Sequence, residues 1–487
     1  MRNSTPRLLA AAMMVAALVP ASAHARQTAA EPEGLFDRAA AGDVRTYGGA
    51  TRVASNSSAD YAAMAARNSA TPVRNVILLI GDGMGDSEIT MARNYAEGAG
   101  GYFKGIDALP VSGHYTHYSL HKESGLPNYV TDSAASATAF SSGIKTYNGA
   151  LGIDITGKRY DSILTLARKF GFATGNVTTE AVQDATPGAQ YAHISRRDCF
   201  GPDETTHFCS SEALESGGLG SISEQLLANA PDVTFGGGAA SFRQRANAGQ
   251  WKGRSLSEQA VARGFTIVTD SAQVNALSPA SLRGGPILGL FSEGNMPVRW
   301  LGPKAHTGGH IKLAPVTCEV NSQRDQSTPQ LAQLTRKAIE LLSSKERGFF
   351  LQVEGASIDK QSHAANPCGQ IGETVDLDEA VQVALEFAKR DGNTLVIVTA
   401  DHAHSGQIIG NDTPTQGLSL SLNTHDGTVM SFGYGNGDGD GTDHTGAQLR
   451  VAAYGPRAFN VSGLLDQTDI HFIIRDALGL TENPAAK

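Results

Sequence analysis

The sequence predicts an α/β fold: a large, mostly parallel central sheet flanked by helices on both faces, in three layers, α/β/α. Two observations carry that expectation. Val76-Ile77-Leu78-Leu79-Ile80, Phe349-Phe350-Leu351-Gln352-Val353 and Leu395-Val396-Ile397-Val398-Thr399 are short, nearly continuous apolar runs, the pattern of strands buried on both faces of a parallel sheet. Helix-period segments separate them. Leu331, Leu334, Ala338, Leu341 and Leu342 line one helix face before the second run; Val375, Ala380, Val383, Ala384 and Phe387 line another before the third. Phe172–Val177, Val233–Phe235 and Val451–Tyr454 are weaker strand candidates of the same kind. Strand, helix and strand at this spacing predict a single α/β domain over residues 71–487.

The N-terminus is expected to lie outside that domain. Arg2 and Arg7 precede an apolar stretch from Leu8 to Val19, and Pro20-Ala21-Ser22-Ala23 offers a small-residue cleavage pattern, with Ala23-His24-Ala25 as a second option. Residues 1–23 therefore read as a signal peptide. The stretch is shorter than the roughly 20 residues a membrane span needs. Residues 24–70, rich in Ala, Ser, Asn and Arg without a sustained period, read as an extended arm or partly disordered lead-in. The expected mature protein is exported, periplasmic or secreted, with no membrane segment.

The 487-residue chain is 40% hydrophobic and 18% charged, ordinary for a globular protein. Loss of residues 1–23 would remove two arginines and no acid, taking the formal charge from −9 to −11. That balance lacks the basic footprint of a nucleic-acid binder. An even count of four cysteines in an exported chain favours two disulfides. Three pairings can be drawn. Cys199–Cys209, closing a short surface loop, and Cys318–Cys368, tying down the segment after His363, are the preferred ones. A zinc site built on these cysteines would want a C-x-x-C spacing, which is absent.

The chemistry sits where apolar runs end. Asp82 follows its run by two residues, as does Asp401, and Glu354 follows its run directly. In open α/β sheets ligands bind beyond the carboxyl ends of the strands, so three acids should converge there. Bare, they would repel one another; divalent cations would neutralise them. Asp359 and His363, four apart, share a helix face. With His402 and His444 they mix imidazole and carboxylate, a donor set suited to zinc, whereas an all-oxygen set suits magnesium. His404 lies close by and is left out of the ligand set. Ser133 opens the helical stretch after Asp132, and either residue could cap it. A serine at a helix N-terminus is also placed to bear negative charge and to meet a phosphate.

These stretches resemble the bacterial alkaline phosphatases, from about Asn75 to Leu480. The matching motifs include Ile80-Gly81-Asp82-Gly83-Met84-Gly85, Thr131-Asp132-Ser133-Ala134-Ala135, Gln183-Asp184-Ala185-Thr186-Pro187, Val353 to Lys360, and Thr399-Ala400-Asp401-His402-Ala403-His404. The resemblance implies a phosphomonoesterase working at a two-zinc, one-magnesium site through a phosphoserine. By the same resemblance, Asp359, His363 and His444 match the ligands of the first zinc, and Asp82, Asp401 and His402 those of the second. Asp82, Asp184, Thr186 and Glu354 match the magnesium ligands. Ser133 matches the nucleophile, Arg197 the phosphate clamp with Arg196 as its neighbour, and Lys360 a lysine reaching the phosphate through water. Both preferred cysteine pairs fall where the family forms disulfides. A homodimer and small phosphomonoester substrates are implied as partners.

Three departures stand out. Ser362 replaces an aspartate, Asp198 stands where a basic residue is expected, and Gly433 to Gly441 is richer in Gly and Asp than the family pattern, reading as a flexible loop before His444 with an extra calcium site as the alternative. Among alternatives, a sulfatase would need a C-x-P-x-R motif, and a diesterase would be expected to lose the magnesium ligands and Arg197. An exported phosphate- or metal-binding protein without turnover would lack Ser133 or a complete ligand set.

Overall fold

The structure is a computed structural model that describes residues 71–480 apart from positions 438 and 440, with isolated positions 43, 45, 46 and 66 before them. The expected signal peptide and, those four positions aside, the lead-in over 24–70 lie outside the described residues.

A ten-stranded sheet forms the centre. In chain order its strands are β1 (Asn75–Gly81), β2 (Val111–Thr116), β3 (Ala173–Ala181), β4 (Val233–Gly237), β5 (Thr266–Val268), β6 (Ile287–Leu290), β7 (Phe349–Gly355), β8 (Thr394–Ala400), β9 (Leu449–Tyr454) and β10 (Gly463–Asp466). Across the sheet they run β10-β2-β9-β8-β1-β7-β3-β4-β6-β5. From β8 to β5 every neighbouring pair is parallel. The three strong apolar runs are the three central strands β1, β7 and β8, and every residue in them is buried. The sequence reading of Val451–Tyr454 as another parallel strand needs correction: β9 is antiparallel to both β8 and β2. An apolar run encodes burial and carries no information on direction.

Six helices matter for the site: α1 (Asp86–Glu97), α2 (Ser133–Ser142), α3 (Leu331–Leu342), α4 (Ser357–His363), α5 (Pro367–Asp391) and α6 (Asp469–Ala477). The predicted apolar face of α3 is buried while Arg336 and Glu340 face solvent. Helix α5 starts well before Val375, at Pro367, where the Asn366 side chain accepts from the Gly369 N–H. It buries acids as well as apolar groups: Asp376 meets Arg324 at 2.6 Å, and the Asp378 Oδ1 accepts the Gly105 and Ile106 N–H groups. Helices α3 and α5 pack on each other and on the sheet, while α2 packs against α6.

A second, four-stranded sheet joins His306–Thr307, Leu418–Asn423, Val429–Tyr434 and Gly406–Ile409. Gly433 belongs to it, paired with Gln407 and Ser419, so the Gly/Asp-rich loop begins later than the sequence suggested. Both preferred disulfides form, Cys199–Cys209 and Cys318–Cys368. No helix among the described residues is long and apolar enough to cross a membrane.

Candidate active site

Strand order builds the site. β1 lies between β7 and β8, with Gly81 level with Gly355 on one side and Ala400 on the other. Asp82, Glu354 and Asp401 therefore emerge side by side at the carboxyl ends, all fully buried. The turn after β1 needs Gly83. Its φ is +66°, and a Cβ there would sit 3.1 Å from Asp359 Cα, Cβ and Oδ1. Its N–H donates to Asp401 Oδ1 at 2.9 Å.

Helix α2 delivers Ser133. Asp132 is the cap, its Oδ1 accepting the Ala135 N–H at 2.9 Å. All ten residues of α2 are buried, which small side chains permit on every side. Ser136 and Gln467 both donate to the Asp401 carbonyl at 2.6 Å, fixing the helix against the end of β8. Ser133 Oγ then lies 3.1 Å from His402 Nε2, with that nitrogen 3.3 Å from both Asp82 Oδ1 and Asp401 Oδ2.

A second group gathers on α4 and on the paired two-residue strands Ala403–His404 and His444–Thr445. Asp359 Oδ1 is 3.4 Å from His363 Nε2, 3.3 Å from His444 Nε2 and 3.4 Å from His404 Nε2. His363 Nδ1 faces the Thr442 carbonyl at 2.7 Å and His444 Nδ1 the Thr131 carbonyl at 3.0 Å. A carbonyl only accepts, so each Nδ1 carries a proton, which leaves each Nε2 facing inward as the ring atom available to a metal. Those two Nε2 atoms are 2.9 Å apart. Two lone pairs aimed at one point repel unless a cation lies between them, and two nitrogens on one tetrahedral zinc are about 3.3 Å apart.

Lys360 and Arg197 supply the fixed positive charge. Lys360 Nζ is 3.2 Å from Glu180 Oε2, 3.6 Å from Asp359 Oδ2 and 3.7 Å from Asp82 Oδ2 and Asp184 Oδ2. Arg197 is held between Asp184 Oδ1 at 2.7 Å and Asp132 Oδ2 at 3.3 Å. Arg196, the neighbour, points away and pairs with Asp198 at 2.8 Å, both half-exposed. The departure at Asp198 therefore acts on Arg196, at the surface. Ser362 is buried, and its hydroxyl finds no hydrogen-bond partner among the described residues.

Two lysine and arginine charges do not balance this many acids. Burial, then Asp82, pushes Asp401 up to about 7, and burial with the neighbouring carboxylates raises Glu354 well above its ordinary range. Burial works against charge on His402, but Asp401 and Asp82 outweigh it and lift the imidazole to about 10. Asp184 goes the other way: Lys360 and Arg197 overcome its burial and hold it low. Both oxygens of Asp82, one each of Glu354, Asp359 and Asp401, and Thr186 Oγ1 are buried with no hydrogen-bond partner among the described residues. Three sets have ligand atoms within 4.8 Å of one another: Asp359, His363, His404 and His444; Asp82, Asp401 and His402; and Asp82, Glu180 and Glu354. Orphaned, convergent donors of this kind fit divalent cations.

A family model described as alkaline phosphatase matches residues 73–443. The chain belongs to the alkaline phosphatase family. It is 60% identical over 446 residues to the alkaline phosphatase of Escherichia coli strain K12, covering 92% of this chain and 94% of that one. It is 57% identical over 474 residues to alkaline phosphatase H of Pseudomonas aeruginosa, covering 97% and 99%. Among solved structures, a variant of the alkaline phosphatase from the Antarctic bacterium TAB5, described with Mg bound in the M3 site, aligns at TM-score 0.61 and 27% identity, covering 85% and 99%. The chain is accordingly an enzyme, an alkaline phosphatase hydrolysing phosphate monoesters, with groups of side chains that could hold metal.

Against the sequence reading, this alkaline phosphatase brings Ser133, Asp82, Asp401 and His402 together, and Asp359, His363 and His444 together. Asp184 caps a short turn of helix, pairs with Arg197 and shares Lys360 with the oxygen cluster; Thr186, in that turn, is buried. Two residues absent from the sequence-based set join the groups that could hold metal. His404, left out of the ligand set, lies as close to Asp359 as His363 does. Glu180 was missed because β3 was expected to stop at Val177, whereas it runs through Thr178-Thr179-Glu180 to Ala181.

Proposed function

We propose that this phosphatase holds two zinc ions and one magnesium ion and works through a phosphoserine at Ser133. Asp359, His363 and His444 would hold the first zinc, and Asp82, Asp401 and His402 the second. Asp82, Glu354, Asp184 and Thr186 would hold the magnesium, Asp82 being shared. When bound, the metals would lower the pKa of the serine hydroxyl and of the attacking water, and would stabilise the departing oxygen.

The observation carrying this reading is the position of Ser133 Oγ, buried at a helix N-terminus and 3.1 Å from a nitrogen of the ligand group. Ser133 gives up its hydroxyl proton as Oγ attacks phosphorus, and the bond to the ester oxygen breaks, leaving phosphate on the serine while the departing oxygen takes up a proton and leaves as the alcohol. Water then attacks the same phosphorus and Ser133 Oγ departs, releasing inorganic phosphate. The N-terminus of α2 favours negative charge on Oγ at both steps. Arg197, braced by Asp132 and Asp184, has guanidinium donors left over for two phosphate oxygens, a bidentate grip its planar fork suits. Lys360, already facing four carboxylates, would reach the phosphate through water. The cleft grips the phosphoryl group, so small phosphomonoesters of diverse leaving group would be accepted. Export to the periplasm and assembly as a homodimer complete the proposal, on the strength of the N-terminal pattern and the family.

Acid-quenching the enzyme during turnover of a labelled phosphomonoester tests it. Peptide mapping should find the label on the peptide carrying Ser133, and on none in a Ser133→Ala variant. Label on another residue, or no covalent label during turnover at acid and alkaline pH alike, would sink the phosphoserine mechanism.

A further inference from the structure

We propose that Glu180 supplies a further carboxylate oxygen to the divalent cation held by Asp82 and Glu354, an inference resting on the magnesium position proposed above. β3 lies next to β7, with Thr178 level with Glu354. The Thr178 hydroxyl donates to Glu354 Oε2 at 2.6 Å and accepts the Glu180 N–H at 3.0 Å. Pairing of β3 with β4 is irregular between Val177 and Ala181. Glu180 sits in that irregularity, of the type that re-aims a side chain beside an active site.

Glu180 is fully buried, and among the described residues neither of its oxygens has a hydrogen-bond partner. Lys360 Nζ lies 3.2 Å away, but the same ammonium also faces Asp82, Asp184 and Asp359. A carboxylate buried without adequate partners is strongly disfavoured. Its ligand oxygen and those of Asp82 and Glu354 lie within 4.8 Å of one another. Oxygens around an octahedral magnesium are about 2.9 Å apart when adjacent and about 4.2 Å when opposite, a spread close to the 4.8 Å bound of this cluster.

The competing role is an anchor for Lys360 alone. Zinc-loaded, magnesium-free protein, titrated calorimetrically with magnesium, separates the two. Glu180→Gln should weaken magnesium binding at least tenfold while zinc content, by elemental analysis, stays at the wild-type level. Glu354→Gln should do the same. A loss under tenfold in Glu180→Gln alongside a large loss in Glu354→Gln overturns the role of Glu180 and leaves the magnesium position standing. Unchanged binding in both variants overturns both. Glu180→Asp, which keeps the charge and shortens the reach, gives the same readout should the amide variant fail to fold.

Discussion

Replacing Ser133 by alanine should lower phosphomonoester hydrolysis by on the order of a thousandfold or more, the scale seen when a catalytic nucleophile is removed. The structure separates this from damage to the fold. Asp132 is the residue that caps α2, and among the described residues Ser133 Oγ has His402 alone as a hydrogen-bond partner. Deleting the hydroxyl leaves the cap, the Ser136 and Gln467 bonds to Asp401 and the buried alanines of α2 untouched. Unfolding free energy should therefore stay within roughly 0.5 kcal/mol of wild type. The residual rate would come from water attacking directly in a cleft still lined by Arg197 and the ligand groups. Initial rates with a chromogenic phosphomonoester check this, and a loss under tenfold would count against Ser133 as nucleophile.

Asp82→Asn should be nearly as severe, by a different route. Asp82 belongs to two of the three ligand sets, with Asp401 and His402 on one side and Glu180 and Glu354 on the other. The amide keeps the shape but removes the charge that both positions share. Altering even a residue behind a ligand costs about 10- to 100-fold in metal affinity or activity, so losing a shared ligand should cost at least a hundredfold in activity. Metal analysis after gel filtration should find one zinc retained, on the Asp359 group, with the other zinc and the magnesium depleted. Full retention of all three ions would remove Asp82 from the ligand roles proposed for it.

The central strands were legible because β1, β7 and β8 are buried on both faces, and burial on both faces leaves nothing for polar residues to do. The outer parts were not. β2 alternates buried and more exposed residues through Ser112, Gly113 and His114, which reads as a loop when no neighbour is known. In the second sheet, Leu418–Asn423 is buried along five of six positions although every other one is serine; those hydroxyls bond within the sheet, as Ser421 does to Ser431. The direction of β9 depends on its partner and is absent from its own residues.

The site was more readable than the periphery because metal-binding and nucleophilic groups must stand at strand ends and helix starts, where sequence pattern changes. Glu180 escaped for the complementary reason. Thr178, Thr179 and Glu180 are polar and buried inside a strand; the Thr178 hydroxyl donates to Glu354 and the Thr179 hydroxyl accepts the Ala356 N–H, long-range partners that nothing local announces, so the stretch reads as the end of a strand. His404 was visible but ambiguous: proximity to Asp401-His402 in sequence does not say which ligand group a ring will face.

Removal and restoration of metal tests the central claim most directly. Hydrolysis of a chromogenic phosphomonoester at alkaline pH would be followed before chelation, after it, and after addition of zinc alone, magnesium alone and both together. The account predicts loss on chelation, partial return with zinc alone, none with magnesium alone, and full return with both. Activity that survives complete chelation, or that fails to return to correctly folded protein once both metals are restored, would contradict it.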